Sequence, residues 1–357
     1  MIPTDRDLDA GLRVDDFDYD LPEELIAQRP LARRDQSRLL VLDRAIGELR
    51  HSVVADLPEW LDQGDLLVAN NSRVFPARLS ATRIPTGGRV ELLLLRPEGG
   101  GRWSSLAKPS RRLRPGGRLL VEPRQGSGTP LELEVVAIGD DGVVSLSIGT
   151  DGAGDLAAYG ETPLPPYIRT SLGDPERYQP VYASSIGSAA APTAGLHFTP
   201  GLLERLREKG IGWAEVTLHV GLDTFRPVQV ERVTEHRIHR EWFEVPEETA
   251  AAVADARRRG GRVVAVGTTA ARTLETLAGH WDERRPAGTS GMTDLFIIPG
   301  YRWRLVDVLL TNFHLPRSTL LMMVSSFAGR STLRDAYAAA IAEQYRFFSF
   351  GDAMLIR

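Results

Sequence analysis

Cysteine is absent from the 357-residue sequence, which excludes a disulfide framework, a thiolate metal site and a cysteine nucleophile. Long apolar runs are also absent, and no stretch approaches the ~20 residues needed to cross a bilayer. The first twenty residues are acidic and lack the apolar segment of a signal peptide. Charge of one sign is not in excess, since 43 basic residues stand against 47 acidic ones. We therefore expect a cytoplasmic protein that does not enter membranes, in which a local basic patch remains possible.

Length and composition favour a globular protein with two domains. The chain is about twice the common domain size, and its content of 42% hydrophobic and 25% charged residues is ordinary. The N-terminal residues are polar and show no periodicity. We predict a flexible extension over 1–14, a core α/β domain over 15–74 and 160–357, and an inserted domain over 75–159.

The inserted segment is predicted to contain strands and no helix. Short apolar runs alternate there with Gly- and Pro-rich turns, a pattern typical of a small antiparallel barrel or sandwich. The core segments instead alternate strands with helices. Strands are predicted at 39–42, 66–69, 213–220 and 295–298, and at 262–266, where continuous apolarity fits a strand buried on both faces of a parallel sheet. Helices are predicted after Pro22, from Thr199 to Gly210, and over 246–261, 318–328 and 331–344.

Six of the seven histidines lie in the second half of the chain. Histidine is the side chain best able to exchange a proton near neutral pH. The loop GSAAAPTAGLHF (187–198) has small residues around Thr193 and Gly195 that let backbone amides approach a ligand, with His197 at its edge. Small residues also make ordinary tight turns, and a single histidine often fills a satisfied core position.

Two later segments combine histidines with other polar side chains. HVGLDTFRPV (219–228) leaves a predicted strand, and α/β proteins place their sites at strand ends. Its candidate residues are His219, Asp223, Thr224 and Arg226. In EHRIHRE (235–241), the spacing of His236 and His239, with Glu241 behind, would suit a metal if the segment were helical. No helical pattern and no clear third ligand accompany it, so acid–base or substrate contacts are the alternatives to a zinc site.

Two strand-to-helix junctions also carry polar groups. In AVGTTAARTLE (265–275), the Gly267-Thr268-Thr269 turn exposes amides at a helix N-terminus, and with Arg272 it suits a carboxylate or phosphate. Threonine is, however, a common N-cap without any ligand. In TNFHLPRSTLLM (311–322), Asn312 and His314 lie in the predicted loop and Ser318 is the expected helix cap.

One segment is strongly basic. Between Arg102 and Arg124 there are seven basic residues and one acid, a local balance of +6. Phosphate contacts with a polyanion are one interpretation, and a solvated basic edge is the other. The residues that would make the contacts are Lys108, Arg111, Arg112 and Arg114.

Taken in order, these segments resemble the S-adenosylmethionine:tRNA ribosyltransferase-isomerase family of queuosine biosynthesis. The resemblance runs from Asp16 to the C-terminus. Further strings that contribute to it are FDYDLPEELIAQRP (17–30), DLLVANNSRVFPARL (65–79), PLPPYIR (163–169), TDLFIIPGY (293–301) and YRFFSFGDAMLI (345–356). One such string is weak evidence, but eleven in this order are very specific.

The resemblance implies a fold and a reaction. Members combine an α/β core with an inserted β-barrel, which fits the mixed α/β core and small antiparallel barrel expected here. They transfer the ribosyl part of S-adenosylmethionine to 7-aminomethyl-7-deazaguanine at the tRNA wobble position and isomerise the sugar, which gives epoxyqueuosine-tRNA, adenine and methionine. S-adenosylmethionine is consumed as a co-substrate, and no metal or other cofactor is expected. The expected partner is the anticodon stem-loop of tRNA, and the protein is expected to act as a monomer.

Within this reaction, the sulfonium acidifies the ribose C5′ hydrogens and the departing adenine needs a proton, so a base and an acid are required. We hypothesise that His197, His219, His236 and His239 include these groups and that Glu241 orients one imidazole. The residues assigned to substrate binding are Thr193, Gly195, Asp223, Thr224, Arg226, Gly267, Thr268, Thr269, Arg272, Asn312 and His314. The four basic residues of the insertion are assigned to tRNA, and the aromatic residues Tyr345, Phe347, Phe348 and Phe350 to base stacking or to the core.

Asp223 departs from the family, which usually has a small residue, often glycine, at this position. Aspartate tolerates a positive-φ turn better than most residues, so the loop backbone is expected to be kept. A carboxylate near a sulfonium would also assist binding.

Two rival functions are consistent with the residues alone. A metal-dependent hydrolase would contain bound zinc or iron and lose activity on chelation. An RNA-binding module would bind tRNA without regard to S-adenosylmethionine or to loss of the histidines. The family resemblance favours the transferase over both.

Overall fold

The computed structural model describes residues 11–124, 126, 128–139, 142–150, 156–221, 228 and 230–357. These residues form two compact units. The first unit comprises Met1–Asn71, Pro166–Ala183 and Pro192–Arg357, and the second comprises Ser72–Pro165 and Ser184–Ala191.

The chain forms seventeen strands and six α-helices within the described ranges. In chain order the strands are β1 (Arg38–Asp43), β2 (Glu48–Val53), β3 (Leu66–Asn70), β4 (Ser72–Val74), β5 (Arg78–Ile84), β6 (Arg89–Gly99), β7 (Arg102–Lys108), β8 (Arg118–Val121), β9 (Leu131–Ile138), β10 (Val143–Ser147), β11 (Ser185–Ser188), β12 (Gly212–Leu218), β13 (Glu241–Val245), β14 (Val263–Val266), β15 (Thr289–Thr293), β16 (Val308–Asn312) and β17 (Ala353–Ile356). The helices are α1 (Leu57–Trp60), α2 (Pro200–Glu208), α3 (Glu247–Arg258), α4 (Thr268–Ala278), α5 (Thr319–Ala328) and α6 (Arg330–Ala342).

The first unit is built on a nine-stranded mixed sheet with the order β15-β13-β12-β3-β14-β16-β17-β1-β2. The four central strands, β12, β3, β14 and β16, are mutually parallel. From β3 to β12 the chain moves across the sheet in one direction, and from β12 to β14 and then to β16 it moves in the other. Because crossovers between parallel strands are right-handed, connections that run in opposite directions lie on opposite faces of the sheet. Helix α2 therefore covers one face, and α3 and α4 cover the other.

The face under α2 is a continuous apolar core. Leu67 of β3, Val264 of β14 and Leu310 of β16 are fully or almost fully buried there against Phe198 and Leu202. All residues of β3, β14 and β16 are buried, because these strands are covered on both faces. The prediction of a doubly buried strand at 262–266 is confirmed.

The second unit contains a closed antiparallel barrel with the strand order β10-β7-β6-β5-β8-β9. Its interior is filled by alternate residues of the strands, among them the fully buried Leu79, Leu92, Trp103 and Leu146. The short parallel pair of β4 and β11 belongs to the same unit. The expected fold class, an α/β core with an inserted β-barrel, is confirmed.

Several local predictions are confirmed by the capping geometry. Thr199 is the N-cap of α2 and its side chain accepts a hydrogen bond from the Leu202 N–H at 3.1 Å. Gly210 follows the end of this helix with φ of 77°, a conformation that glycine adopts without strain. Ser318 caps α5 through the Leu321 N–H at 3.2 Å.

Other local predictions are wrong. The helix after Pro22 is only a 3-10 turn over Glu23–Leu25, because the backbone is already extended at Ile26, which pairs with Phe347. The strand predicted at 295–298 is irregular, and the strand of this region is β15, which precedes it. Thr289–Thr293 contains a glycine and few apolar residues, so it depends on pairing with β13 and not on its own propensity.

The N-terminal part of the described chain is anchored to the first unit. Leu12 and Val14 are buried. The Leu12 carbonyl accepts a hydrogen bond from the Val233 N–H, and the Val14 N–H donates to the Glu231 carbonyl, both at 3.0 Å. Residues 1–10 lie outside the described ranges. Among the residues that the structure describes, no helix is both long and apolar enough to span a membrane.

Candidate functional site

The carboxyl ends of the four parallel strands lie at one edge of the sheet. They lead into Asn71 after β3, His219 after β12, Gly267 after β14 and Phe313 after β16. Chain crossovers diverge on either side of β3, and α/β sheets bind ligands at such a switch point. The sequence-predicted residues His219, Gly267 and Asn312 are therefore brought to the same edge.

Asn70 joins three elements at this edge and was not among the candidates from sequence. Its side chain accepts from the Leu218 N–H at 3.0 Å and donates to the Leu218 carbonyl at 2.9 Å. It also donates to the Thr269 hydroxyl at 3.1 Å. A fully buried amide that bonds β12 and α4 fixes the strand ends. The sequence does contain a signal for Asn70, because it is a polar residue at the end of a continuously apolar strand.

The Thr193–His197 segment forms a 3-10 turn before α2. A Cβ added at Gly195 would lie 2.2 Å from the Tyr182 hydroxyl oxygen and 3.0 Å from the Pro180 ring, so this glycine is required for packing. A Cβ at Gly267 would lie 3.3 Å from Ala194, which shows that the turn lies against the start of α4. Gly267 has φ of 90°, which glycine adopts most easily.

His197 is buried at the end of this turn, with 3% of its surface exposed. Burial, with a smaller contribution from the nearby guanidinium groups of Arg346 and Arg34, lowers its pKa to about 4. The Asn312 side chain and the Arg34 carbonyl act in the opposite direction on this pKa. The imidazole is therefore neutral at pH 7, and its Nε2 has no well-formed hydrogen bond within the described chain.

Two further polar atoms next to His197 are buried without a hydrogen-bond partner among the described residues. They are Asn312 Oδ1 and Arg346 Nη1. Asn312 Nδ2 donates to the Phe348 carbonyl at 3.0 Å, which fixes the amide orientation and turns Oδ1 toward the His197 ring without a well-formed hydrogen bond. Arg346 was missed by sequence reasoning, because its segment YRFFSFGD was interpreted through its aromatic residues.

His219 lies at the end of β12 on the same face of the sheet as His197. Its N–H donates to the Trp242 carbonyl at 3.0 Å, and its ring stacks on the Trp242 indole with centroids 5.2 Å apart at 22°. Burial lowers its pKa to about 4, so this imidazole is also neutral at pH 7. Asp223, Thr224 and Arg226, predicted to act beside it, lie outside the described residues.

Glu241 and Arg272 form a buried ion pair at 2.5 Å. Arg272 also donates to the carbonyls of His239 at 3.3 Å and Thr293 at 3.2 Å, and Glu241 accepts from the Gly221 N–H at 2.8 Å. Burial lowers the pKa of Arg272, while Glu241 acts to raise it. Because Arg272 belongs to α4, this pair lies on the opposite face from His197. The anion that Arg272 holds in this structure is the Glu241 carboxylate.

The other predicted histidines lie in different surroundings. The His236 ring makes an edge contact with Phe296 at 5.6 Å. His314 is packed in the interior. Its ring Nε2 lies 2.7 Å from the Thr311 hydroxyl, and its main-chain N–H donates to the Tyr337 hydroxyl at 2.9 Å. Burial lowers the pKa of His314 to about 3, so a satisfied core position describes it well.

The remaining predicted groups divide between the core and the surface. Tyr345, Phe347, Phe348 and Phe350 are buried in contact with other aromatic rings, so packing accounts for them. Lys108, Arg111, Arg112 and Arg114 are exposed at the end of β7 and on the turn after it. No group of three or more His, Asp or Glu side chains is arranged to hold a metal in the described ranges.

The fold and this sheet edge define a class, an α/β protein with buried neutral imidazoles at the carboxyl ends of parallel strands and an inserted barrel carrying exposed basic residues. The model of the family described as queuosine biosynthesis protein matches residues 14–356. The chain belongs to the queuosine biosynthesis protein family.

Relatives match the chain over almost its whole length. An S-adenosylmethionine:tRNA ribosyltransferase-isomerase from Symbiobacterium thermophilum is 52% identical over 97% of this chain and 100% of its own. One of the same name from Carboxydothermus hydrogenoformans is 52% identical, again over 97% of this chain and 100% of its own. The crystal structure of S-adenosylmethionine tRNA ribosyltransferase from Thermotoga maritima is 39% identical, has a TM-score of 0.55, and covers 96% of this chain and 100% of that chain.

Proposed function

We propose that this protein transfers the ribosyl part of S-adenosylmethionine to 7-aminomethyl-7-deazaguanine at the wobble position of tRNA and isomerises it. The products are epoxyqueuosine-tRNA, adenine and methionine. The observation that carries this proposal is the 52% identity to two S-adenosylmethionine:tRNA ribosyltransferase-isomerases over 97% of the chain. The protein is an enzyme of the transferase and isomerase type, and its substrates are tRNA and S-adenosylmethionine.

His197 is the residue best placed to remove the C5′ proton. A base must be unprotonated at working pH and must present a lone pair to the substrate. Burial keeps the pKa of His197 well below neutrality, and its Nε2 is free of a well-formed hydrogen bond in the described structure. In the tautomer with the proton on Nδ1, the Nε2 lone pair can accept the C5′ proton.

The second proton-transfer group is His219, which lies on the same face at the end of β12. His197 lies beside Asn312 at the end of β16. Strands β12 and β16 are three strand spacings apart, so the two imidazoles are separated by about 14 Å along the edge of the sheet. An elongated ligand along this edge would reach both imidazoles. His236 and His239 remain further candidates for proton transfer, and Glu241, paired with Arg272, accepts from the Gly221 N–H near the end of β12.

Substrate contacts are assigned along the same edge. The N–H groups of Thr268 and Thr269 at the start of α4 favour an anion, and Gly267 positions this turn through its own N–H, which donates to the Leu310 carbonyl at 2.7 Å. Thr193 and Gly195 are assigned to the substrate because their turn lies against the start of α4, and Asp223, Thr224 and Arg226 are assigned to the sulfonium-containing substrate. No metal or cofactor is needed for these assignments.

The anticodon stem-loop is proposed to bind the exposed basic residues of the barrel. Lys108, Arg111, Arg112 and Arg114 form no ion pair with the described residues and are available for phosphates. Electrostatic contacts of this kind position RNA without selecting its sequence. The enzyme is proposed to act in the cytoplasm as a monomer.

The proposed function is tested by incubating the purified protein with S-adenosylmethionine and tRNA that carries the deazaguanine precursor. Mass analysis of the wobble nucleoside is expected to show epoxyqueuosine, and free adenine is expected in equal amount. Modification without adenine release, or adenine release without modification, would contradict the proposal.

A further inference from the structure

Two buried polar atoms beside His197, together with Nε2 of its own ring, lack well-formed hydrogen bonds in the described structure. Arg346 Nη1 is a charged donor, Asn312 Oδ1 is a neutral acceptor, and His197 Nε2 is the third atom. A buried polar atom without a partner destabilises the folded protein. Three such atoms, one of them on the imidazole and two beside it, indicate a site that a polar ligand completes.

The charge at this site favours an anionic group near Arg346. Its Nη2 donates to the Arg29 carbonyl, which does not neutralise a guanidinium. Asp352 interacts with the Arg346 guanidinium, but its two oxygens accept the N–H groups of Arg38 and Arg346 at 2.9 and 2.8 Å. Arg34 likewise donates to the carbonyls of Gln179 and Glu176 at 2.5 and 2.8 Å.

The acceptor beside the Arg346 guanidinium, Asn312 Oδ1, further restricts the chemistry of the ligand. Asn312 Oδ1 would repel an anion, so the ligand must also present a donor. A zwitterionic α-amino acid carries a carboxylate and an ammonium on adjacent atoms, and it would satisfy both Arg346 Nη1 and Asn312 Oδ1. A neutral purine would satisfy the hydrogen bonds but would bring no negative charge to the half-buried Arg346 guanidinium.

We propose that Arg346 and Asn312 form the subsite for the α-amino-acid end of S-adenosylmethionine, with Arg346 holding the carboxylate and Asn312 the ammonium. This inference rests on the proposed function. Two methylene groups separate the amino-acid Cα from the sulfonium, so the sulfonium and its C5′ neighbour would come close to His197. The Gly267–Thr269 turn is then left for a phosphate of tRNA.

The test uses S-adenosylmethionine and its decarboxylated analogue with saturating precursor tRNA, and the rate of adenine release is measured. For the unaltered protein, loss of the carboxylate is expected to raise KM at least about tenfold. For Arg346→Gln, KM for S-adenosylmethionine is expected to rise at least about tenfold, and the KM ratio of the two compounds should approach one. The value of kcat should change less than KM, since the contact is made in the ground state as well.

Arg44→Gln is the matched control. The Arg44 guanidinium is also half buried and donates to main-chain carbonyls, those of Phe327 at 3.2 Å and Asp307 at 3.5 Å. This variant is expected to keep the full KM ratio. If Arg346→Gln does not fold, Arg346→Lys replaces it, and its KM ratio is expected to fall as well because lysine lacks the planar fork.

Two outcomes would overturn the subsite. Arg346 variants that keep the full ratio would place the carboxylate elsewhere. Variants that raise both KM values by the same factor also keep this ratio, and they would assign Arg346 to a part of the ligand that the two compounds share. Failure of the proposed function is distinguishable, because in that case the unaltered protein would release no adenine from either compound.

Discussion

His197 and His314 show how the environment of one residue decides its use. Both are buried histidines in a loop next to a strand, and burial lowers the pKa of both. The ring of His314 is bonded to Thr311, whereas His197 Nε2 has no such partner in the described chain. Sequence alone assigned both to the site. The sequence does not show which groups surround each imidazole, because Arg346 and Arg34 reach His197 from distant parts of the chain.

Gly195 provides a prediction at a single residue. Gly195→Ala is expected to destabilise the protein by about 1–3 kcal/mol, because the added Cβ overlaps the Tyr182 hydroxyl. Tyr182→Phe removes a buried hydroxyl that has no partner among the described residues and is expected to be close to neutral. Combined with Gly195→Ala, it should recover part of the loss.

The free energy of unfolding by urea measures this cycle. Fully additive effects of the two substitutions would show that the alanine is not opposed by the hydroxyl. In that case the Pro180 ring, 3.0 Å from the same Cβ position, would be the obstacle.

The junction of α4 with β13 provides a prediction for secondary-structure elements. Glu241→Gln leaves the buried Arg272 without its counter-charge and is expected to cost about 3–5 kcal/mol of unfolding free energy. The matched control is Glu244→Gln on the same strand, whose side chain is exposed and whose loss should change stability by at most about 0.5 kcal/mol. Equal effects of the two substitutions, measured by denaturant unfolding, would contradict a buried ion pair that joins these elements.

The elements themselves were predictable where local signals agree with tertiary packing. The doubly buried β14 and the caps of α2 and α5 follow from apolar runs, Thr199 and Ser318. The strand β15 was missed, because Thr289–Thr293 is stabilised by β13 and not by its own residues. The location of the site at the ends of the strands was also predicted. The separation of His197 and Arg272 onto opposite faces of the sheet was not. That separation follows from crossover handedness, which becomes known only with the strand order.

Protonation of buried histidines affects the whole molecule. The pKa values of His197 and His219 are lowered to about 4 and that of His314 to about 3, from an ordinary 6.5. As the pH falls below 6.5, the unfolded chain binds protons at these imidazoles and the folded chain does not. Stability should therefore fall between pH 6.5 and pH 4, with a slope of up to about 1.4 kcal/mol per pH unit for each imidazole. Urea unfolding at pH 7 and pH 5 measures it, and equal free energies would contradict buried neutral rings.

The barrel unit is expected to contribute charge to RNA binding. Replacing Arg111, Arg112 and Arg114 with alanine should weaken tRNA binding and lower the slope of log K against log salt concentration by about 2–3, as expected when phosphate contacts are lost. The charge-matched control replaces Arg257, Arg258 and Arg259 at the end of α3, where Arg257 and Arg258 are in ion pairs at the surface. An unchanged slope for the barrel variant, or an equal change in the control, would move the tRNA surface elsewhere.

The rate of adenine release in a single turnover, compared between the unaltered protein and His197→Ala, tests most directly whether the buried imidazole at the strand ends performs the chemistry. Loss of a general base typically costs 10²–10⁴-fold in rate, so a decrease of at least about 100-fold is predicted at saturating S-adenosylmethionine and tRNA. His280→Ala, at an exposed histidine, should keep the rate of the unaltered protein. Adenine released by His197→Ala at that same rate would contradict the assignment.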